Sequence, residues 1–218
     1  MQTQTGLLPY YTRFPFPEKG GSMLFSYDML VSRSRTLPPE YIPRELVPAA
    51  FPFAAALNDP KRLMEPEAAK NAALLFAHCT QAHGMALYGI SAYRSYQRQA
   101  VLYGRNPESL YVAPPGASEH QTGLALDLSC PSAGMELTDR FASSPEGRCL
   151  LQHAPLYGFI LRYPKGKENI TGYPWEPWHI RYVTKSLAIY LDTAGLTLEE
   201  YHALSAVQDA STAPSAVP

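Results

Sequence analysis

The sequence predicts an α+β domain, in which short strands and helices share the chain with long irregular segments. Three observations lead to that class. Residues 124–128 and 178–183 alternate side chains at the period of a half-buried strand. Residues 60–83 instead carry Ala68, Ala69, Ala72, Leu75 and Phe76 on one broad apolar face at helical spacing, with alanine's favourable propensity. Twenty-one prolines in 218 residues fix φ at many points and restrict the residue before each, so much of the chain is extended or turning.

Taken in order, residues 1–22 are rich in Gly, Pro and aromatics without a period, and read as an N-terminal arm. The main domain is expected over residues 23–209 and opens with a short strand at 23–31. Residues 37–43 (LPPEYIP) form an extended wrap with turn signals. The helix over 60–83 is closed by Gly84. His78 and His83 stand at its end, five positions apart, which sends their rings to different faces and gives them a structural role. A strand over 86–93 follows, with Arg94 at its end, and Ser95 caps a helix running to about Tyr103. An arginine at such a junction either faces a cleft or is an ordinary surface charge.

Residues 104–117 read as a loop, and 131–142 as polar and loop-like. Ser144 and Pro145 start a helix that ends near His153 or Ala154. Residues 157–163 are strand-like and 164–167 turn the chain. In the strand over 178–183, His179 and Arg181 share one face, and Trp178, Ile180 and Tyr182 the other. A short helix over 186–194 is closed by Gly195, and Thr197-Leu198-Glu199-Glu200 is a capping box for a last helix. The low-complexity tail, 210–218, is expected to be disordered.

The net charge of -1 gives no electrostatic basis for nucleic-acid binding. No run of about 20 apolar residues is present, so no transmembrane segment is expected. The N-terminus lacks a basic region followed by an apolar one. The expectation is therefore a cytoplasmic protein if the chain is complete, and a cell-envelope protein if an export segment was removed. Cys79, Cys130 and Cys149 are too few and too scattered for a disulfide framework and read as small buried hydrophobes.

The chemistry concentrates in two stretches. In residues 118–128 (SEHQTGLALDL), His120 leaves a loop, Gly123 allows close passage, and Asp127 sits on the strand face opposite Leu124, Leu126 and Leu128. A buried carboxylate there needs a cation, either a metal or an arginine. The second stretch, Glu176-Pro177-Trp178-His179, supplies another imidazole and a spare carboxylate. Alone, each of these residues is ordinarily structural. Together, His120, Asp127 and His179 make the donor set of a catalytic zinc site, which takes three protein ligands and leaves one position for water. Zinc lowers the pKa of that water to about 7. Glu176, kept out of a regular helix by Pro177, is placed to act as the base, and Arg94 to stabilise an oxyanion.

Ser118-x-His120-x-x-Gly123-x-Ala125-x-Asp127, followed by Glu176-x-Trp178-His179, resembles the signature of the zinc D-alanyl-D-alanine peptidases. That family also holds L,D-carboxypeptidases, phage-type endopeptidases and the hedgehog-like domains. The resemblance is strongest to the VanY-type carboxypeptidases. It extends over 91–96 (SAYRSY), over 157–183, and over the leader Leu30-Val31 with Leu37-Pro38-x-x-Tyr41-x-Pro43, about residues 28–190 in all. It implies a small antiparallel sheet flanked by helices. It further implies one catalytic zinc on His120, Asp127 and His179, Glu176 as base and Arg94 on the scissile carbonyl. Gln99, Ser118 and Tyr163 match positions that contact the C-terminal end of a peptide substrate. One departure is Thr184, where relatives often carry glycine after the Arg-Tyr-Val run.

The activity so implied is a D,D-carboxypeptidase that removes the terminal D-Ala from peptidoglycan precursor peptides ending in D-Ala-D-Ala. Three alternatives share the motif: an L,D-carboxypeptidase that trims tetrapeptides, a bifunctional D,D-dipeptidase and carboxypeptidase, and a non-catalytic zinc module of hedgehog type. The last would tolerate loss of a ligand or of the base, and all four residues are present.

Overall fold

A computed structural model describes residues 26–212 of the chain. The first paired segments are β1 (Val47–Pro48) and β2 (Leu63–Met64), joined antiparallel. Helix α1 (Pro66–His83) starts where Pro66 occupies the first turn and the Glu65 carboxylate accepts the Ala68 amide at 2.9 Å. It ends at Gly84, whose φ of 66° is the left-handed closure that glycine permits. Strand β3 (Tyr88–Ser91) leads to α2 (Tyr96–Arg105), capped by the Ser95 hydroxyl on the Arg98 amide.

Strand β4 (Ala125–Ser129) is followed by α3 (Arg140–Ser143) and α4 (Pro145–His153), the latter capped by Ser144. Then come β5 (Phe159–Leu161), α5 (Glu168–Thr171), β6 (His179–Tyr182), α6 (Lys185–Ala194) and α7 (Leu198–Thr212). The capping box forms as the sequence predicts: the Thr197 amide donates to Glu200 at 2.8 Å, and the Glu200 amide to the Thr197 hydroxyl at 3.2 Å.

Four strands form one sheet in the order β3-β4-β6-β5, every neighbour antiparallel. The register sets Asp127 directly opposite His179. Because side chains alternate, Leu124, Leu126, Leu128, Ile180 and Tyr182 all fall on one face, where they pack with Ala68, Ala72, Leu75 and Phe76 of α1 and Leu150 of α4. Burying one such leucine stabilises the fold by roughly 1.5–3 kcal/mol. A smaller apolar group (Ile160, Val183, Leu187, Leu191, Leu198) fastens α6 and α7 beside β5. The opposite face of the sheet is left for polar residues, and the site lies there. Helices flanking a small antiparallel sheet are the α+β class that the sequence implies. No helix of the described residues is long and apolar enough to cross a membrane.

Several expectations are corrected. Residues 26–31 are turn and irregular chain rather than a strand, and 23–25 lie outside the described residues, as does the arm 1–22. Within 131–142, Pro131–Ala133 is a 3-10 turn and α3 begins at Arg140. The backbone of 210–212 continues α7, while 213–218 lie outside the described residues. His78 and His83 do not diverge: their ring centroids lie 5.2 Å apart, and His153 from α4 sits against both. The three cysteines are free and buried, as expected.

Candidate metal centre

Each member of the site is positioned by a different local device. His120 lies in a 3-10 turn (Glu119–Thr122) that Gly123 closes at φ 73°. A β-carbon on Gly123 would stand 2.8 Å from Leu46 Cδ2 and 3.1 Å from the Glu65 amide nitrogen, so both its conformation and its surroundings require glycine. The His120 Nδ1 is 2.6 Å from the Ala92 carbonyl, so it donates there and leaves Nε2 as the lone-pair atom. Asp127 is carried into place by β4. His179 begins β6, immediately after a turn in which its amide donates to the Glu176 carbonyl at 3.1 Å. That turn, imposed by Pro177, brings the Glu176 carboxylate within 4.0 Å of His179 Nδ1.

The result is a convergent buried cluster. Asp127 Oδ2 lies 3.0 Å from His120 Nε2, and Asp127 Oδ1 lies 2.8 Å from His179 Nδ1. One ligand atom from each of the three residues lies within 4.8 Å of the others, as a shared metal ion requires. Two nitrogens and one carboxylate oxygen, with access from a cavity, suit zinc better than calcium or magnesium. The cluster can therefore hold a metal ion, and its chemistry is consistent with Zn2+.

The electrostatics separate the carboxylates. Burial alone would raise Asp127, but His120 and His179 hold it well below the usual carboxylate range. Glu176 is pushed up to about 8 by its burial, which the neighbouring His179 opposes and Asp127 reinforces. Burial would lower His179, yet its hydrogen bond to Asp127 and the nearby Glu119 carboxylate raise it to about 9. Arg94 Nη2 approaches Asp127 Oδ2 at 3.5 Å, and the guanidinium is held by Ser91 Oγ and Gln99 Oε1, each at 3.0 Å.

The cavity above the cluster has a volume of about 700 Å³. Ser118, Arg94, Tyr163 and Glu176 line it with the three cluster residues. Gln99 does not: its Oε1 accepts from Arg94, and its Nε2 donates to the Ala113 carbonyl at 2.6 Å. It stands behind Arg94 rather than facing the cavity. The segment 164–172 is tied to α7, with Lys167 Nζ 2.8 Å from Glu200 Oε1. The further walls are Tyr111, Val112 and Ala113, and Leu137 to Arg140, from two segments the sequence leaves as loops.

Sequence reasoning missed Glu119. Fully buried, it accepts from Arg162 Nε at 2.6 Å and Arg181 Nη1 at 2.8 Å, and its Oε2 lies 3.7 Å from His179 Nε2. It thus stands behind a member of the cluster, where an orienting carboxylate belongs. Arg162 reaches on to Glu199 of α7 through a two-pronged ion pair, at 2.9 and 2.6 Å. One signal was available: two arginines, Arg162 and Arg181, in otherwise apolar strands need a buried anion.

The VanY family, described as D-alanyl-D-alanine carboxypeptidase, matches residues 61–185. The chain is similar to YodJ of Bacillus subtilis, 42% identical over 179 residues, covering 79% of this chain and 65% of that protein. It is similar to a D-alanyl-D-alanine carboxypeptidase of Enterococcus faecium, 41% identical over 111 residues, covering 51% of this chain and 34% of the relative. The bifunctional D-Ala-D-Ala dipeptidase and carboxypeptidase VanXYC of Enterococcus gallinarum is 32% identical over 184 residues, 79% of this chain and 92% of its own. The chain thus spans less than two thirds of the first two relatives and nearly all of the third. Among solved structures, the LdcB LD-carboxypeptidase superposes with a TM-score of 0.74 at 42% identity, over 79% of this chain and 84% of its own. The D,D-dipeptidase VanXYg, solved with a D-Ala-D-Ala phosphinate analogue, gives 0.69 at 32% identity, over 82% and 71%.

Proposed function

This chain belongs to the zinc D-alanyl-D-alanine carboxypeptidase family that takes in VanY and LdcB, and on that premise we propose that it is a zinc carboxypeptidase releasing the terminal D-Ala of peptidoglycan stem peptides that end in D-Ala-D-Ala. The observation that carries the reading is Glu176. It is a buried carboxyl on the cavity wall, 4.0 Å from His179 Nδ1 and beside the His120, Asp127 and His179 cluster but not a member of it. A carboxylate that stands next to the ligands without joining them is placed to act as general base.

Zinc bound by His120, Asp127 and His179 would polarise the scissile carbonyl and acidify the attacking water. Glu176 accepts the proton of that water and later delivers it to the leaving amine nitrogen. Arg94, held by Ser91 and Gln99, donates to the carbonyl oxygen as negative charge develops there. Tyr163 and Ser118, both on the cavity wall, contact the C-terminal end of the peptide. The burial of His120, Asp127, Glu176 and His179 strengthens each of these interactions.

A second reading, the L,D-carboxypeptidase, is favoured by one observation. The likeness to LdcB, 42% identity with a TM-score of 0.74, exceeds that to VanXYg, 32% with 0.69. Product analysis separates the two. The zinc-loaded protein is incubated with a pentapeptide ending in D-Ala-D-Ala, with the tetrapeptide ending in a single D-Ala, and with free D-Ala-D-Ala. The D,D reading expects D-Ala from the pentapeptide and none from the tetrapeptide. Release from the tetrapeptide alone assigns the L,D activity. Release from the dipeptide as well assigns the bifunctional one, and no release from any of the three removes the proposal.

A further inference from the structure

We infer that His78, His83 and His153 form a second metal site, which takes a divalent transition-metal ion such as Zn2+ and ties the end of α1 to the end of α4. The three imidazole centroids lie 4.5 Å (His78 to His153), 5.2 Å (His78 to His83) and 5.2 Å (His83 to His153) apart. One nitrogen from each lies within 4.8 Å of the other two. None of these residues lines the cavity above Asp127, so the cluster is separate from the site already described.

The nitrogens are prepared for a cation in different ways. His153 Nδ1 lies 2.8 Å from the Cys149 carbonyl of its own helix, so it donates there and presents Nε2 as a lone pair. A backbone acceptor on the far nitrogen is the usual orienting partner of a metal-bound histidine. His78 Nε2 is buried and has no hydrogen-bond partner, an unfavourable arrangement that a metal bond would relieve. His83 is exposed at the last residue of α1. Its freedom there lets the three nitrogens draw in to the separation of about 3.3 Å that zinc–nitrogen bonds of ~2.0 Å imply.

Ring packing alone explains the proximity, with Tyr157 also 5.7 Å from His78, but it leaves the His78 nitrogen unpartnered. Three imidazoles without a carboxylate select borderline transition metals over calcium and magnesium. The cluster has no counterpart of Glu176, so it is assigned binding and not catalysis. It also lacks the negative charge that Asp127 brings to the first cluster, so it fills second.

Zinc titration of the metal-stripped full chain, followed by equilibrium dialysis and metal analysis, tests this directly. The wild type is expected to take two ions, the second in a separate, weaker step. His83→Gln and His153→Gln are each expected to take one ion and to keep their activity, because neither residue touches the peptidase site. Loaded with Cu2+ in the second step, the wild type is expected to show three-nitrogen coordination by electron paramagnetic resonance, and His83→Gln two or fewer. A wild type that saturates at one ion, or a His83→Gln variant that still takes two, would overturn the inference.

Discussion

Asp127 brings His120, His179 and Arg94 to one carboxylate within 3.5 Å, and the protons of this group are linked to metal uptake. In the metal-free protein His179 is held at about 9, so it is protonated near neutrality and must lose that proton to bind an ion. Zinc uptake near pH 7 is therefore expected to release at least one proton. The apparent affinity should rise as the pH climbs towards 9 and then level off. Calorimetry in buffers of different ionisation enthalpy reads the release directly, and zero release would mean that His179 is already neutral. Arg94→Ala is expected to lower kcat by about 10²–10³ while zinc stoichiometry is unchanged; loss of zinc instead would make Arg94 a supporting residue. Thr184 offers a test of a different kind. Its φ of 88° and ψ of 156° lie in a region that glycine occupies almost alone, and its hydroxyl makes only long contacts, each 3.5 Å, to the Leu187 amide and to Ser186 Oγ. Thr184→Gly trades a weak cap for relief of strain and is expected to stabilise the fold by roughly 1 kcal/mol, read from the urea midpoint. The cluster residues were legible in the sequence because residue type and spacing carry their chemistry. Gln99 was not, since nothing local shows that both ends of its amide are already occupied.

Between the elements, Glu119 is the joint. It receives Arg162 of the segment after β5 and Arg181 of β6, and through Arg162 it reaches Glu199 on α7. Arg181 also donates to the carbonyls of Tyr27 and Met29, at 3.2 and 2.8 Å, so the same joint fastens the start of the described chain. Glu119→Ala leaves two buried guanidinium groups without their shared anion and is expected to cost about 3–5 kcal/mol, with Glu119→Gln costing less. Burial would raise this carboxyl, but Arg162 and Arg181 hold it well below the glutamate range. A depressed carboxylate contributes stability that is complete above its unfolded pKa of about 4.3 and declines as the pH falls below that value. Denaturation midpoints measured from neutral to acid pH should therefore fall more steeply for the wild type than for Glu119→Gln, and parallel curves would remove Glu119 from the acid response. At this scale, helices with explicit caps were legible. Gly84, Ser95, Ser144 and the Thr197 box all act as their residue types predict, but the helix expected from residue 60 starts only at Pro66, because 60–62 form a 3-10 turn and 63–64 pair as β2. The short strand expected near residue 30 was not found, because its apolar residues Met29 and Val31 are buried with Leu37 in a turn-rich wrap instead of in a ladder. The meeting of His78, His83 and His153 was equally hidden, since it depends on where α4 crosses α1.

Across the whole molecule, one sheet separates two tasks. Its leucine face packs on α1 and α4, and its other face carries the metal cluster under a cavity of about 700 Å³. The α+β class and the ligand set were legible because strand alternation decides which side chains share a face. The cavity walls at 111–113 and 137–140 were not, because they come from irregular chain whose path is fixed by contacts distant in sequence. The division of labour makes the chemistry removable without unfolding: chelation is expected to abolish peptide hydrolysis, and added zinc to restore it, while the far-ultraviolet dichroism stays unchanged. Glu176→Ala puts the central assignment at greatest risk, with D-Ala release and bound zinc measured on the same sample. Turnover is expected to fall by at least about 10²-fold with the His120, Asp127 and His179 site still holding its ion. Undiminished release of D-Ala from a zinc-loaded Glu176→Ala protein would show that the base lies elsewhere.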